Sequence, residues 1–294
     1  FLCGLLNAQP MGFYSVSQLI QDAQRHGVCI LPIDVQHSMV NNTLERFVHD
    51  AIQNTSKALL PVRLGLRQVK GLKTQAAQRI AENREANGPF RSVEDLSKRA
   101  ELDRSDLVAL ADANALESLA GHRRQAVWES AGVDHKKDLL SHTRQAEDTL
   151  QLPAANALQN MLADYRSMQA SLEHHPLFFL RPKLSAFKIK TVEEMRTYPD
   201  GRLARACGIV THRQRPATAH GTVFLNLEDE TGNVNVIVWN ELAESSRQVL
   251  RNASIMGVFG IWQKQGDVCN LLAKKLVDYS PLMAELAVKS RDFK

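Results

Sequence analysis

A multidomain α+β chain, mostly helical over its first two-thirds and ending in a five-stranded β-barrel, is predicted by three observations in the 294-residue sequence. The first is the stretch from Leu64 to Ile80, where a short apolar run, a turn at Val69-Lys70-Gly71-Leu72 and an amphipathic helix follow one another. The second is a similar turn at Ala113-Asn114-Ala115-Leu116, again between helical segments. The third is a switch at Arg202 from helical spacing to β-type runs. Those runs come as three strands, a helix and two more strands, which is the order of an OB-fold.

Composition narrows the class. Hydrophobic residues make up 44% of the chain, so it is not disordered, and its length favours two or three domains over one core. The net charge is +4 and the pI about 8.9. The excess is local: between Lys57 and Arg91 there are eight Lys/Arg (57, 63, 67, 70, 73, 79, 84, 91) and two Glu (82, 85). That cluster suits a polyanion, and a solvated charged face is the plainer alternative. Cys3, Cys29, Cys207 and Cys269 stand far apart with no C-x-x-C pair, which suggests neither a disulfide framework nor zinc and fits the cytoplasm. No run reaches the roughly 18 apolar residues of a membrane span, so no membrane is expected as partner. The chain starts at Phe1 without a methionine and is expected to be the tail of something longer.

In chain order, Val16, Leu19, Ile20 and Ala23 recur on one helical face, with Gly27 placed as the C-terminal cap. Val28 to Val35 is β-branched and continuous and predicts a buried strand, with Pro32 marking an edge or a bulge. In the hairpin region, Leu72, Ala76, Ala77, Ile80 and Ala81 face one way, and Lys73, Gln75, Gln78, Arg79 and Glu82 the other. Asn87-Gly88-Pro89-Phe90 ends that helix and Ser92 caps the next. Asp103 to Asp112 gives a further helix, and Asn114, tolerant of a left-handed backbone, sits in the second turn. Residues 132–154 read as a linker, and a helix from about Ala155 to His174, ended by Pro176 and Pro182, carries Leu158, Met161, Leu162, Tyr165, Met168 and Leu172 on one stripe. Strands are expected at Leu203–Gln214, Thr222–Asp229, Asn233–Trp239, Ser254–Trp262 and Val268–Val277, with a helix at Glu241–Leu250. The domains so drawn are 1–55, 56–131, 132–200, 201–281 and a tail, 282–294.

No phosphate loop, nucleophile elbow, dinucleotide fingerprint or His-x-x-x-His pair occurs, so no catalytic, cofactor or metal residue is assigned within the chain. Glu228-Asp229-Glu230 reads as a strand-to-turn corner, and His174-His175 as a helix end. What remains is binding. A glycine turn that opens a helix exposes backbone N–H groups where phosphates are favoured, and Lys70 and Lys73 flank it. The spacing fits a helix-hairpin-helix, although an ordinary αα-hairpin matches it too. The candidate nucleic-acid contacts here are Val69, Lys70, Gly71, Leu72, Lys73, Thr74 and Arg79. On the barrel the second and third strands and the flanking loops would carry contacts. The candidates there are Arg213, Arg215, His220, Phe224 and Lys264. Phe224 and Trp239 would stack bases if they point outward, or fill the core if they do not.

The chain resembles the C-terminal part of bacterial family C DNA polymerases, those related to the polymerase III alpha subunit. The resemblance is carried by Leu5-Leu-Asn-Ala-Gln-Pro-Met-Gly-Phe-Tyr14, Gln21-Asp-Ala-Gln-Arg-His-Gly27 with Pro32-Ile-Asp-Val35, Leu64-Gly-Leu-Arg-Gln-Val-Lys-Gly-Leu72 and Gly88-Pro-Phe90. It continues through Ala163-Asp-Tyr-Arg166, His175-Pro176, Arg213-Gln-Arg-Pro216 and Phe224-Leu-Asn-Leu-Glu-Asp-Glu-Thr-Gly232. The short ending at Ser290-Arg-Asp-Phe-Lys294 looks like the error-prone, damage-inducible branch.

That resemblance implies the end of a fingers region up to about residue 55, a tandem helix-hairpin-helix region gripping primer-template DNA, and an OB domain near single-stranded template. It implies a DNA-directed DNA polymerase as the parent protein, with magnesium held by a palm ahead of Phe1 and this fragment inactive alone. It also implies the sliding clamp and an inactive Y-family-like protein as partners. Asn114 departs from the glycine of the second hairpin, and Gln36-His37-Ser38 from an expected Asn-x-Ser. Gln145-Ala-Glu-Asp-Thr-Leu150 is faintly like a clamp-binding peptide but lacks its fourth-position aliphatic residue, so linker is the better reading. The competing readings are a free-standing, non-catalytic nucleic-acid-binding or scaffold protein and a truncated replicative alpha subunit.

Overall fold

The computed structural model describes residues 1–12, 14–45, 59–133, 150–266 and 268–283, divided into a first unit, Phe1–Glu173, and a second, His174–Lys294. Lys57, most of the Gln145–Leu150 stretch and the tail beyond Met283 lie outside the described residues.

In the first unit, α1 (Leu2–Asn7) is followed by α2 (Val16–Arg25). Ser15 caps α2 through a reciprocal box with Gln18, which satisfies two amides that the helix leaves unpaired. Gly27, at φ +77°, ends it: its N–H donates to Gln24 O, and that of Val28 to Ala23 O, the paired bonds of a Schellman turn. The run from Val28 to Val35, expected as one buried strand, contributes only β1 (Ile30–Leu31). It pairs in parallel with β3 (Val62–Arg63), and β2 (Thr43–Leu44) pairs antiparallel on the other side. Pro32 has no N–H for a ladder, so pairing stops there. Five helices follow: α3 (Thr74–Asn87), α4 (Val93–Arg99), α5 (Arg104–Asp112), α6 (Glu117–Ala120) and α7 (Arg123–Gly132). Leu64, Leu66, Ile80, Leu96, Leu107, Leu110 and Leu116 fill one core with the two N-terminal helices. Each such burial stabilises by about 1.5–3 kcal/mol.

The long helix expected to reach His174 is corrected. α8 runs only Ala157–Ser167, because Ser167 Oγ bonds back to Ala163 O (2.9 Å) and Gln169 turns left-handed at φ +60°. Pro176 does not end that helix; it opens another, α9 (Pro176–Ala186), at a first-turn position where its missing N–H costs nothing. His175 Nδ1 accepts from Leu177 N–H (3.2 Å), so His175 starts a helix. α10 (Val192–Arg196), capped by Thr191 and Glu194, was not anticipated. The segment 132–200 is therefore shared: α8 belongs to the first unit, α9 and α10 to the second.

The second unit closes a five-stranded barrel in the order β4 (Leu203–Gln214), β5 (Val223–Glu228), β6 (Asn233–Val238), β8 (Val268–Asp278), β7 (Ile255–Gln265). Every neighbour pair is antiparallel except β6 with β8, which the crossover through α11 (Asn240–Ser245) and α12 (Arg247–Asn252) makes parallel. The single helix expected between the third and fourth strands is thus two short ones meeting at Ser246. Val234, Val236 and Val238 point inward, as the alternation predicts. Trp262 and Leu271 complete the core, and Gly260 lets β7 approach β8: a Cβ there would lie 2.1 Å from Leu272 O.

Glu228-Asp229-Glu230 joins the helices to the barrel. Asp229 Oδ1 accepts from Thr231 N–H, Thr231 Oγ1 and Gly232 N–H, and its Oδ2 from Val192 N–H (2.8 Å). Arg181 forks onto Glu230 at 2.5 and 2.7 Å. Burial pushes the Asp229 carboxyl up, and the Thr231 bonds oppose it.

Candidate nucleic-acid interface

The first turn is narrower than a two-helix hairpin. Its incoming arm is a single 3-10 turn, Leu66–Gln68, and its outgoing arm is α3. Val69 is buried and Leu72 half-buried, which leaves Lys70 and Gly71 at the tip. Gly71 has φ +88°, and a Cβ there would meet only Ala109 Cβ at an ordinary 4.0 Å, so glycine is needed there for conformation and not for room. Lys70 N–H donates to Ser167 O (2.8 Å) and Leu72 N–H to Val69 O (3.3 Å), so those two amides are occupied. The first amides of α3, led by exposed Thr74 and Gln75, have no intrahelical acceptor. The N-cap is Lys73, whose side chain has no oxygen to offer them. The positive end of a 14-residue helix therefore faces outward beside Lys70.

The surrounding cations are mostly committed. Arg79 donates to Ala100 O (2.7 Å) and Glu101 O (2.9 Å), tying α3 to the end of α4. Arg84 donates to Val35 O and Ser38 O, Arg67 to Asn7 O and Gln9 O, and Arg63 pairs with Glu45 at 2.7 Å. Lys73 pairs with Asp103 and lies 3.9 Å from Asp106. That bond holds the Lys73 ammonium above its ordinary pKa and the Asp103 carboxyl far below the usual carboxylate range, with Ser105 and the Asp106 amide helping. Lys70 alone among the cationic candidates at this turn has neither an ion pair nor a side-chain hydrogen bond among the described residues.

The second turn has the geometry without the charge. Asn114 adopts φ +56°, and Asn114 N–H to Ala111 O with Ala115 N–H to Leu110 O close α5 as a Schellman turn. Aligned on the positive-φ residue, buried Ala113 stands in place of Lys70, buried Leu116 in place of Lys73 and exposed Glu117 in place of Thr74. Asn114 Nδ2 donates to the Glu117 carboxylate at 2.7 Å, which puts a negative charge where a phosphate would sit.

On the barrel, an open groove of about 1010 Å³ lies over β5, β6 and β8. Phe224 (40% exposed) and Trp239 (53% exposed) line it with Ile237, and His220, left-handed at φ +47°, lies at its edge. Of the other candidates, Arg213 donates to Ala253 O, Arg215 pairs with Glu244 (2.7 Å), and Lys264 lies against Arg196 O and outside the groove lining. Lys274 lines the groove and was not singled out. Alternation gave the signal for the rest: with Val234, Val236 and Val238 inside, Asn235 and Ile237 must face out.

Residues 27–126 match a helix-hairpin-helix motif family, and residues 204–278 an OB-fold nucleic acid binding domain. The whole chain aligns at 47% identity with the error-prone DNA polymerase of Ralstonia pickettii (strain 12J), at 49% with that of Aromatoleum aromaticum and at 44% with that of Methylococcus capsulatus. The chain resembles the C-terminal part of error-prone DNA polymerases from end to end. It spans 27%, 27% and 29% of those three relatives. The two family matches coincide with the two surfaces described above, the glycine turn in one and the barrel groove in the other. Among solved structures, asparaginyl-tRNA synthetase from Pyrococcus horikoshii matches 31% of this chain and 22% of its own at 20% identity and TM-score 0.28, too slight a likeness to bear on function.

Proposed function

We propose that this chain is the DNA-holding C-terminal region of an error-prone, DNA-directed DNA polymerase that acts in damage-induced translesion synthesis and mutagenesis. The observation that carries this reading is the similarity over the full chain to error-prone DNA polymerases. The Lys70-Gly71 turn and the opening of α3 hold the phosphates of primer-template DNA, and the barrel groove takes single-stranded template. The second turn, without a lysine and with Glu117, is a structural joint. Nucleotidyl transfer, with its magnesium, is proposed for a palm outside this chain. The sliding clamp and an inactive Y-family-like protein are the proposed partners, and the cytoplasm the proposed location. No helix among the described residues is long and apolar enough to cross a membrane.

A grip on phosphates reads no sequence and releases counterions. Anisotropy titrations with two primer-templates of unrelated sequence, over a series of salt concentrations, test this. Equal affinities that fall linearly on a log–log plot support the proposal. Sequence-selective or salt-independent binding contradicts it.

A further inference from the structure

The glycine turn is joined to a helix that lies outside the residues, 27–126, of the motif match. Lys70 N–H donates to Ser167 O, the carbonyl of the last residue of α8. The bond lengths along that path keep the Cα atoms of Lys70 and Arg166 within about 11 Å of each other. Helix α5 meets the same place. A Cβ on Gly71 would lie 4.0 Å from Ala109 Cβ, and Asp112, about one turn further along α5, lies within the field of Arg166. Burial pushes the Asp112 carboxyl up, and Arg123 and Arg166 oppose it. The tip of the turn, the last turn of α5 and the end of α8 thus converge.

The end of α8 is firmly held. Asp164 pairs with Arg123 and accepts from Ser171 Oγ (2.9 Å), Arg123 also donates to Asn160 O (2.9 Å), and Met161, Ser167 and Ala170 are buried. A helix C-terminus is negative and by itself repels a phosphate. Here its carbonyls are occupied: Ala163 O accepts from Ser167 Oγ (2.9 Å), Asp164 O from Met168 N–H (2.7 Å) and Ser167 O from Lys70 N–H (2.8 Å). Arg166 is exposed and makes no hydrogen bond or ion pair among the described residues. A guanidinium on a rigid helix end, with its donors unspent, suits a phosphate oxygen pair.

We propose that Arg166 is a second cation of the duplex grip and takes a backbone phosphate beside the one held by Lys70. This rests on the reading of the Lys70-Gly71 turn as a phosphate grip. It makes the grip composite, built from the hairpin and from a helix that follows it in the chain, with α8 fixed to the turn by the Lys70–Ser167 bond.

The test is anisotropy of the full chain with a primer-template duplex over a salt series, for the parent, Lys70→Gln, Arg166→Gln, Arg166→Lys and Arg91→Gln. Arg91 is an exposed control beyond the far end of α3, about 20 Å of helix away from the turn. Arg166→Gln is expected to make the log–log slope shallower by about 0.9, so that over a fourfold rise in salt the parent loses about 3.5-fold more affinity than the variant. Arg166→Lys keeps the parent slope, and so does Arg91→Gln. A parent slope in Arg166→Gln, or an equal flattening in Arg91→Gln, overturns the proposal. If Lys70→Gln is shallower while Arg166→Gln is not, the turn still stands as the grip and only the second cation is lost. If neither changes the slope, the reading of the turn has failed as well.

Discussion

Lys73 and Lys70 sit three residues apart and do different things. Lys73 is held by Asp103, the residue that caps α5 by accepting from Asp106 N–H at 2.9 Å. Asp103→Asn keeps a capping oxygen and removes the charge, which releases the lysine to the turn. The duplex salt slope is then expected to steepen by about 0.9, the increment for one added phosphate contact, and an unchanged slope would show that Lys73 stays away from DNA. The pair also gives a pH dependence. The Asp103 carboxyl is depressed in the fold, so its contribution to stability is present above the unfolded carboxylate pKa near 4 and is lost as pH falls through the lower folded value. Denaturant melts of the parent and Asp103→Asn should therefore differ at neutral pH and converge in strong acid. Thiol chemistry follows burial in the same way. Cys29 is exposed, whereas burial pushes Cys207 up to about 12, so alkylation at pH 8 should modify Cys29 in the native protein and reach Cys207 only on unfolding. Charge was legible in the sequence, but its commitments were not. Arg67, Arg79 and Arg84 spend their guanidiniums on carbonyls 21 to 60 residues away, a pairing that no local spacing encodes.

At the scale of elements, the glycine turn is a matter of backbone and not of space. Gly71→Ala places a Cβ 4.0 Å from Ala109 Cβ, an ordinary contact, but forces a left-handed alanine. It should cost about 1–2 kcal/mol, read as a shift of the denaturant midpoint, and weaken duplex binding by disturbing the tip. Gly260→Ala, which meets the Leu272 carbonyl at 2.1 Å, should cost about 3 kcal/mol through overpacking while leaving the first unit's binding alone. The strands were the most readable elements, since alternation and turn residues fixed β4 to β8 within a residue or two, except that β7 runs on to Gln265. Helix ends were less so. The stripe from Leu158 to Leu172 continues past the end of α8 because Met168 and Leu172 still pack on the core from irregular chain, so burial kept the period after the helix had stopped. The chain leading into the 3-10 turn of the first hairpin is already committed: Leu64 N–H donates to Leu31 O, Gly65 N–H donates to Asn42 Oδ1, and Leu64 and Leu66 are buried in the core.

At the scale of the molecule, the division falls at Glu173/His174, and the barrel carries α9 and α10 with it. Val192 and Met195 are buried in the barrel core, and Asp229 and Glu230 hold their ends of the joint through Val192 N–H and Arg181. A chain beginning at His174 should therefore unfold as one cooperative unit, and one beginning at residue 201 should be less stable by roughly 3–6 kcal/mol, the burial of those two side chains. Calorimetry of the two decides it. The proposed function at this scale rests on two surfaces, an ionic grip at a single glycine turn and the open groove of the barrel. The central claim is that the first of these holds duplex DNA through Lys70. Titration of the full chain with a primer-template duplex, parent against Lys70→Glu at low salt, tests it most directly. The account predicts weaker binding of every duplex sequence alike by Lys70→Glu, with a shallower salt slope. Binding as tight as the parent's, with the same slope, would contradict it.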